Sequence, residues 1–142
     1  MNRLNITTLF LVCMMVALVG CLDNTGSDPE PVVEPMGWTY YYVANQSQAD
    51  LNVVYNIAGF PVDSTAAVPA NTTTNIFQLA RTPSSPTPSE AFGNLRFYNQ
   101  PGDTTNPRLT IEPVIDEHWD DITAEGDTVK KYELGITEED LK

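Results

Sequence analysis

"WTYYYVANQSQADLNVVYN", residues 38–56, decides how this chain is read. Its first part, Trp38 to Asn45, is built almost wholly from aromatic and β-favouring residues, whose bulk near the backbone suits a pleated, half-buried surface. Alternation along a strand sends Trp38, Tyr40 and Tyr42 to one face and Tyr41 with Val43 to the other. The turn-prone Asn45-Gln-Ser-Gln48 follows, and then Asp50 to Asn56 alternates again. There Leu51, Val53 and Tyr55 share one side while Asn52 and Asn56 share the other. The two runs read as an antiparallel hairpin with one buried face.

The same grammar continues downstream. Thr65 to Val68 is a third strand ending at the turn Pro69-Ala70-Asn71, and Thr72 to Ala80 is a fourth. Residues 81–90, RTPSSPTPSE, carry three prolines and three serines, which cannot sustain a hydrogen-bonded ladder, so a long exposed loop is expected. Leu95 to Tyr98, Leu109 to Ile111 and Val129 to Thr137 are further strands, the first two separated by a turn at residues 100–103. Clean helical periodicity over a long stretch is missing. Short strands with frequent turn signals across residues 37–142 predict an all-β fold: a single antiparallel β-sandwich of immunoglobulin-like architecture. A domain of this size buries a useful core without disulfide or metal help.

The N-terminus is organised differently. A basic head, Met1-Asn2-Arg3, precedes an uncharged run from Leu9 to Gly20. As a helix that run would span about 18 Å, well short of a hydrocarbon core of about 30 Å. Basic head, short apolar core and small residues at a processing point make a secretory signal. Leu18-Val19-Gly20-Cys21 resembles the lipobox of bacterial lipoproteins. That resemblance implies cleavage between Gly20 and Cys21 and a diacylglyceryl group, with commonly a further acyl chain, on Cys21. Two or three chains make attachment to a membrane stable where one is marginal. Residues 1–20 are then a removed leader. Residues 21–36 are the lipidated cysteine and a flexible stem whose prolines and acids favour extended chain, with a reach of roughly 40 Å. The cell envelope is the expected location. Leu22 rather than an aspartate after the cysteine points to the outer membrane in a Gram-negative source.

Composition narrows the chemistry. With the leader gone, six basic residues stand against nineteen acidic ones, a formal charge of −13. Such a surface repels nucleic acid. The mature chain retains one cysteine, so a disulfide framework is excluded. A single histidine, His118, with no nucleophile-elbow signature gives no support to a hydrolase or a structural zinc site, and no enzyme is expected. "PVIDEHWDD" (113–121) and "YELGITEEDL" (132–141) resemble segments of small lipoproteins of uncharacterised function from Bacteroidota; the resemblance implies a β-sandwich and no particular chemistry.

Two sets of candidate ligand-binding residues remain. Trp38, Tyr40, Tyr41 and Tyr42 offer aromatic plates for a glycan or small ligand. If residues 115–121 form a helical turn, Ile115 and Trp119 anchor it, while Asp116 stacks on Asp120 and Glu117 on Asp121. Those like-charge pairs would be relieved by a hard cation such as Ca²⁺, although the spacing is not that of an EF-hand. No other cofactor is implied. The expected role is a non-enzymatic binding or assembly module for an envelope protein partner, meeting it through strand edges or end loops. The alternatives are glycan binding through the aromatic residues and calcium-dependent adhesion.

Overall fold

A computed structural model describes residues 37–81, 84–99, 103 and 105–142. The expected leader, stem and Gly20–Cys21 processing point lie outside the described residues. The eight strands are β1 (Gly37–Asn45), β2 (Leu51–Ile57), β3 (Asp63–Val68), β4 (Thr72–Arg81), β5 (Phe92–Tyr98), β6 (Leu109–Ile111), β7 (Asp120–Asp121) and β8 (Val129–Ile136). One helical turn, α1 (Pro88–Ala91), precedes β5, and a 3₁₀ turn covers Asp116–His118. The strands form two four-stranded sheets, β4-β1-β8-β7 and β3-β2-β5-β6. Every pairing is antiparallel except that of β1 with β8, the first and last strands, which run parallel. The expected all-β sandwich is what forms.

Its core follows the alternation. Tyr41 and Val43 of β1, Leu134 and Ile136 of β8, and Ile76 of β4 face Leu51, Val53 and Tyr55 of β2 and Leu95 and Phe97 of β5. Tyr41 is the aromatic hub. Its ring stacks between Phe77 and Tyr132 at 6.1 Å each and meets Phe92 edge-on at 5.0 Å. Burial pushes its phenol far above the ordinary tyrosine value, so the hydroxyl stays protonated and donates to the Pro86 carbonyl at 2.8 Å. Tyr55 does the same across the sandwich, donating to the Ile76 carbonyl at 2.8 Å.

Three expectations are corrected. β1 and β2 are not a hairpin: β1 pairs with β4 and β8, and β2 with β3 and β5, so the chain changes sheets between them. Asn45, only 1% exposed, makes that corner. Its amide donates to the carbonyls of Ala49 (2.8 Å) and Val68 (3.1 Å), and its oxygen accepts from the Ser47 amide (3.0 Å) and hydroxyl (2.7 Å). With their polar groups satisfied this way, Asn45 and Ser47 can be buried where the chain crosses between sheets, while Gln46 and Gln48 stay exposed.

The proline-rich segment is also more than an exposed loop. Pro86 and Pro88 are buried, and Thr87 caps α1 while Glu90 reaches back to the Thr87 amide at 3.1 Å. The segment closes the end of the sandwich where β1 begins, so tightly that a Cβ on Gly37 would lie 2.6 Å from the Ser85 amide nitrogen. The third correction concerns residues 115–121. Only Asp116–His118 turn, as 3₁₀, and Trp119 is already extended. Trp119 packs inward, parallel to Phe92 at 5.8 Å, whereas Ile115 is exposed.

Candidate functional site

The described strands leave a seam open between β7 and β6. β7 is two residues long and covers β8 only opposite Glu133 and Tyr132. On the other sheet, β6 is three residues long and has no neighbour beyond it. Between these two short edges lies a groove of about 550 Å³. Leu109, Ile111, Pro113, Ile115, Leu134 and Ile136 supply apolar walls. Glu112, His118 and Asp140 stand among the lining residues, so the polar part of the groove is mainly acidic.

The backbone at this seam is directional. Ile122 donates to the Lys131 carbonyl at 2.9 Å, and the Lys131 amide donates to the Thr123 hydroxyl at 3.0 Å, so Lys131 turns both polar groups toward the β7 side. Ile136 turns its carbonyl the other way, accepting from Gln46 at 2.8 Å. By the same alternation Gly135 presents its N–H and C=O away from β1, beyond the last residue that β7 covers. An exposed strand edge of this kind is a template for an added strand. Leu141 seals the core beneath the C-terminus. It is 1% exposed, its carbonyl accepts from Arg108 Nε at 2.7 Å, and the preceding turn is held by Thr137 donating to Asp140 at 2.7–2.8 Å.

The aromatic candidates divide. Trp38 (40% exposed), Tyr40 and Tyr42 lie on the outer face of the first sheet, as the alternation predicts. Val129, Lys131 and Glu133 of β8 stand opposite them in register, and Gln78 of β4 stands opposite Tyr40 on the other side. Tyr41 is fully buried in the core and touches no ligand from outside. A stripe of three remains, Trp38 exposed and Tyr40 and Tyr42 half-buried, not a set of four.

The four acidic candidates are not brought together. Asp116 accepts from the Ser89 amide at 2.8 Å and so ties the 3₁₀ turn to α1. Asp121 pairs with Lys130 at 2.9 Å and accepts from Thr123 at 3.0 Å, and these hydrogen bonds, Thr123 foremost, hold its carboxyl down at about 2. Glu117 and Asp120 are exposed on either side of Trp119. Because the expected α-turn does not form, neither Asp116 with Asp120 nor Glu117 with Asp121 stacks along a helix. Among the described residues no group of three or more His, Cys, Asp or Glu is placed to hold a metal ion, so the Ca²⁺ reading has no ligand set there.

Cys21 lies outside the described residues, and among those described no helix is long and apolar enough to cross a membrane. The groove is the feature that sequence reasoning missed. Its only signal is the brevity of the runs at 109–111 and 120–121 beside much longer strands. Comparison with protein-family models, curated proteins and solved structures gives no match.

Proposed function

We propose that this chain is a lipid-anchored module of the cell envelope that binds a protein partner without catalysing a reaction, held to its membrane through acylated Cys21. The observation that carries the binding reading is the groove between β6 and β8, where apolar walls flank the outward-facing N–H and C=O of Gly135. An extended peptide laid there gains backbone hydrogen bonds from the strand edge and apolar contacts from both walls. Glu112 and Asp140 favour lysine or arginine in that peptide. A photoreactive residue in place of Thr110, incorporated in intact cells, tests this. One dominant crosslinked protein is expected, lost when Gly135→Pro removes the N–H; scattered products at low yield overturn it.

The outer stripe of Trp38, Tyr40 and Tyr42 favours a second reading, in which the sheet face stacks on a glycan. Retention on an immobilised glycan, abolished by Trp38→Ala or Tyr40→Ala with an unchanged circular dichroism spectrum, would replace the first reading with this one.

A further inference from the structure

The described residues expose five large apolar side chains: Trp38, Phe60, Val62, Ile115 and Ile122. Ile115 lines the groove. The other four share one end of the sandwich. Trp38 is the second residue of β1, in register with Val129 at the start of β8. Ile122 opens the β7–β8 loop, opposite Lys131. Phe60 and Val62, 64% and 70% exposed, form the tip of the β2–β3 hairpin, and the neighbouring Ala58 donates to the Ala91 carbonyl of α1. α1 in turn follows the segment packed on Gly37. This is the end at which the chain enters, sixteen residues after Cys21.

Ion pairs gather about the same end. Of the five ion pairs among the described residues, four lie there: Arg81–Glu90, Arg96–Asp63, Lys130–Asp121 and Lys131–Asp127. Asp63 adjoins the hairpin tip, and Asp121 and Asp127 bracket the loop that Ile122 begins. In a chain of net charge −12, four acids beside the apolar tips are thus offset by a cation. Glu117, Asp120 and Glu125 in the same region have no ion pair among the described residues, and the opposite end carries one pair, Glu139 with Lys142.

We infer that this end of the sandwich rests on the surface of the bilayer that holds the lipid anchor, with Phe60, Val62, Ile122 and Trp38 entering the headgroup region. The inference rests on the reading of Cys21 as acylated. Aromatic and branched apolar side chains favour the boundary between headgroups and acyl chains, and tryptophan is enriched there. Four apolar side chains at one end of a domain are a weak membrane ligand in free solution. A tether makes the contact intramolecular, at an effective concentration in the millimolar range, where weak affinity is enough. Unpaired Glu117, Asp120 and Glu125 select a neutral, zwitterionic surface over an anionic one.

The test uses the full-length acylated protein in phosphatidylcholine vesicles with brominated acyl chains, which quench tryptophan in or near the bilayer. The expected result is a blue shift and quenching of emission. Trp38→Phe should leave only the buried Trp119, unquenched, and Phe60→Ser with Val62→Ser should abolish the quenching of Trp38. Phosphatidylglycerol in the vesicles should weaken it. If the protein floats with the vesicles and carries its acyl mass, yet Trp38 stays unquenched and open to iodide, the anchor stands and the end-on contact is overturned. If Cys21 carries no acyl mass, the anchor fails and the contact proposed from it fails too. If residues 58–62 gain hydrogen-exchange protection only when a protein partner is added, the surface is a protein interface and the lipid contact is overturned.

Discussion

Replacing Asn45 by alanine should cost far more than a turn substitution ordinarily does. In the folded protein the side chain makes four hydrogen bonds, two given and two accepted, in a space from which water is excluded. Two of its partners have a fallback: the Ser47 hydroxyl also donates to Ala49 at 3.2 Å, so that donor and that carbonyl keep each other. The Ser47 amide and the Val68 carbonyl have none among the bonds that form the corner. Each buried group left unsatisfied costs about 1–3 kcal/mol, so a loss of about 3 kcal/mol is expected. With a urea m-value of about 1.5 kcal/mol/M for a domain this size, the unfolding midpoint should fall by about 2 M. Ser47→Ala, which removes one hydroxyl and leaves the clamp, should lose about 1 kcal/mol. Equilibrium urea unfolding followed by tryptophan fluorescence measures both. A midpoint shift below about 0.5 M for Asn45→Ala, or equal shifts for the two variants, would refute the claim that Asn45 ties the sheets together.

Other substitutions test other contacts of the fold. Tyr41→Phe keeps every ring contact but strands the Pro86 carbonyl; it should lower stability by about 1–3 kcal/mol in the same urea assay. Gly37→Ala forces a Cβ against the Ser85 backbone, and calorimetry should register a loss of about 1–3 kcal/mol from the displaced loop. Because the Asp121 carboxyl is held near 2 in the folded protein against 3.8 ordinarily, its contribution is present in full above the higher value. That contribution fades as pH falls from 3.8 toward about 2. Asp121→Asn should therefore melt below the wild type at pH 7, and the two melting curves should converge once pH drops under the lower value. A gap of constant size across that range would show that the carboxylate adds nothing through its charge.

Local preference accounts for most of the strands and none of the pairing error. Trp38 to Val43 alternate cleanly, because inward positions need bulk and outward ones tolerate polarity. In β2, Leu51, Val53 and Tyr55 face the core as period two puts them, but Asn52 and Val54 between them are buried as well. Their shared loop looks like a hairpin turn because Asn, Ser and Gln suit one. What diverts the chain is a hydrogen bond from Asn45 to Val68, twenty-three residues on, and no local pattern encodes a partner so distant. The prolines of 81–90 correctly exclude a strand, yet Pro86 and Pro88 are buried because the ring is apolar and Tyr41 needs an acceptor there. Trp119 reads as a helix anchor by its spacing from Ile115, but one buried aromatic is reached as readily from an extended segment. As for the candidate site, the outer aromatic stripe is legible from alternation alone. The groove is not, since it exists only where two unusually short strands from different sheets end side by side.

The parallel pairing of the first and last strands has a mechanical consequence. β1 and β8 are in register over eight positions, from Trp38 with Val129 to Asn45 with Ile136. A tether to lipid would pull on β1 from its N-terminal end, and a partner in the groove would pull on β8 near Leu134 to Ile136, at the far end of the same ladder. That load runs along the two strands and shears them, so their hydrogen bonds must yield together and not one at a time. A domain anchored and loaded in that way would carry the tension across eight register positions at once.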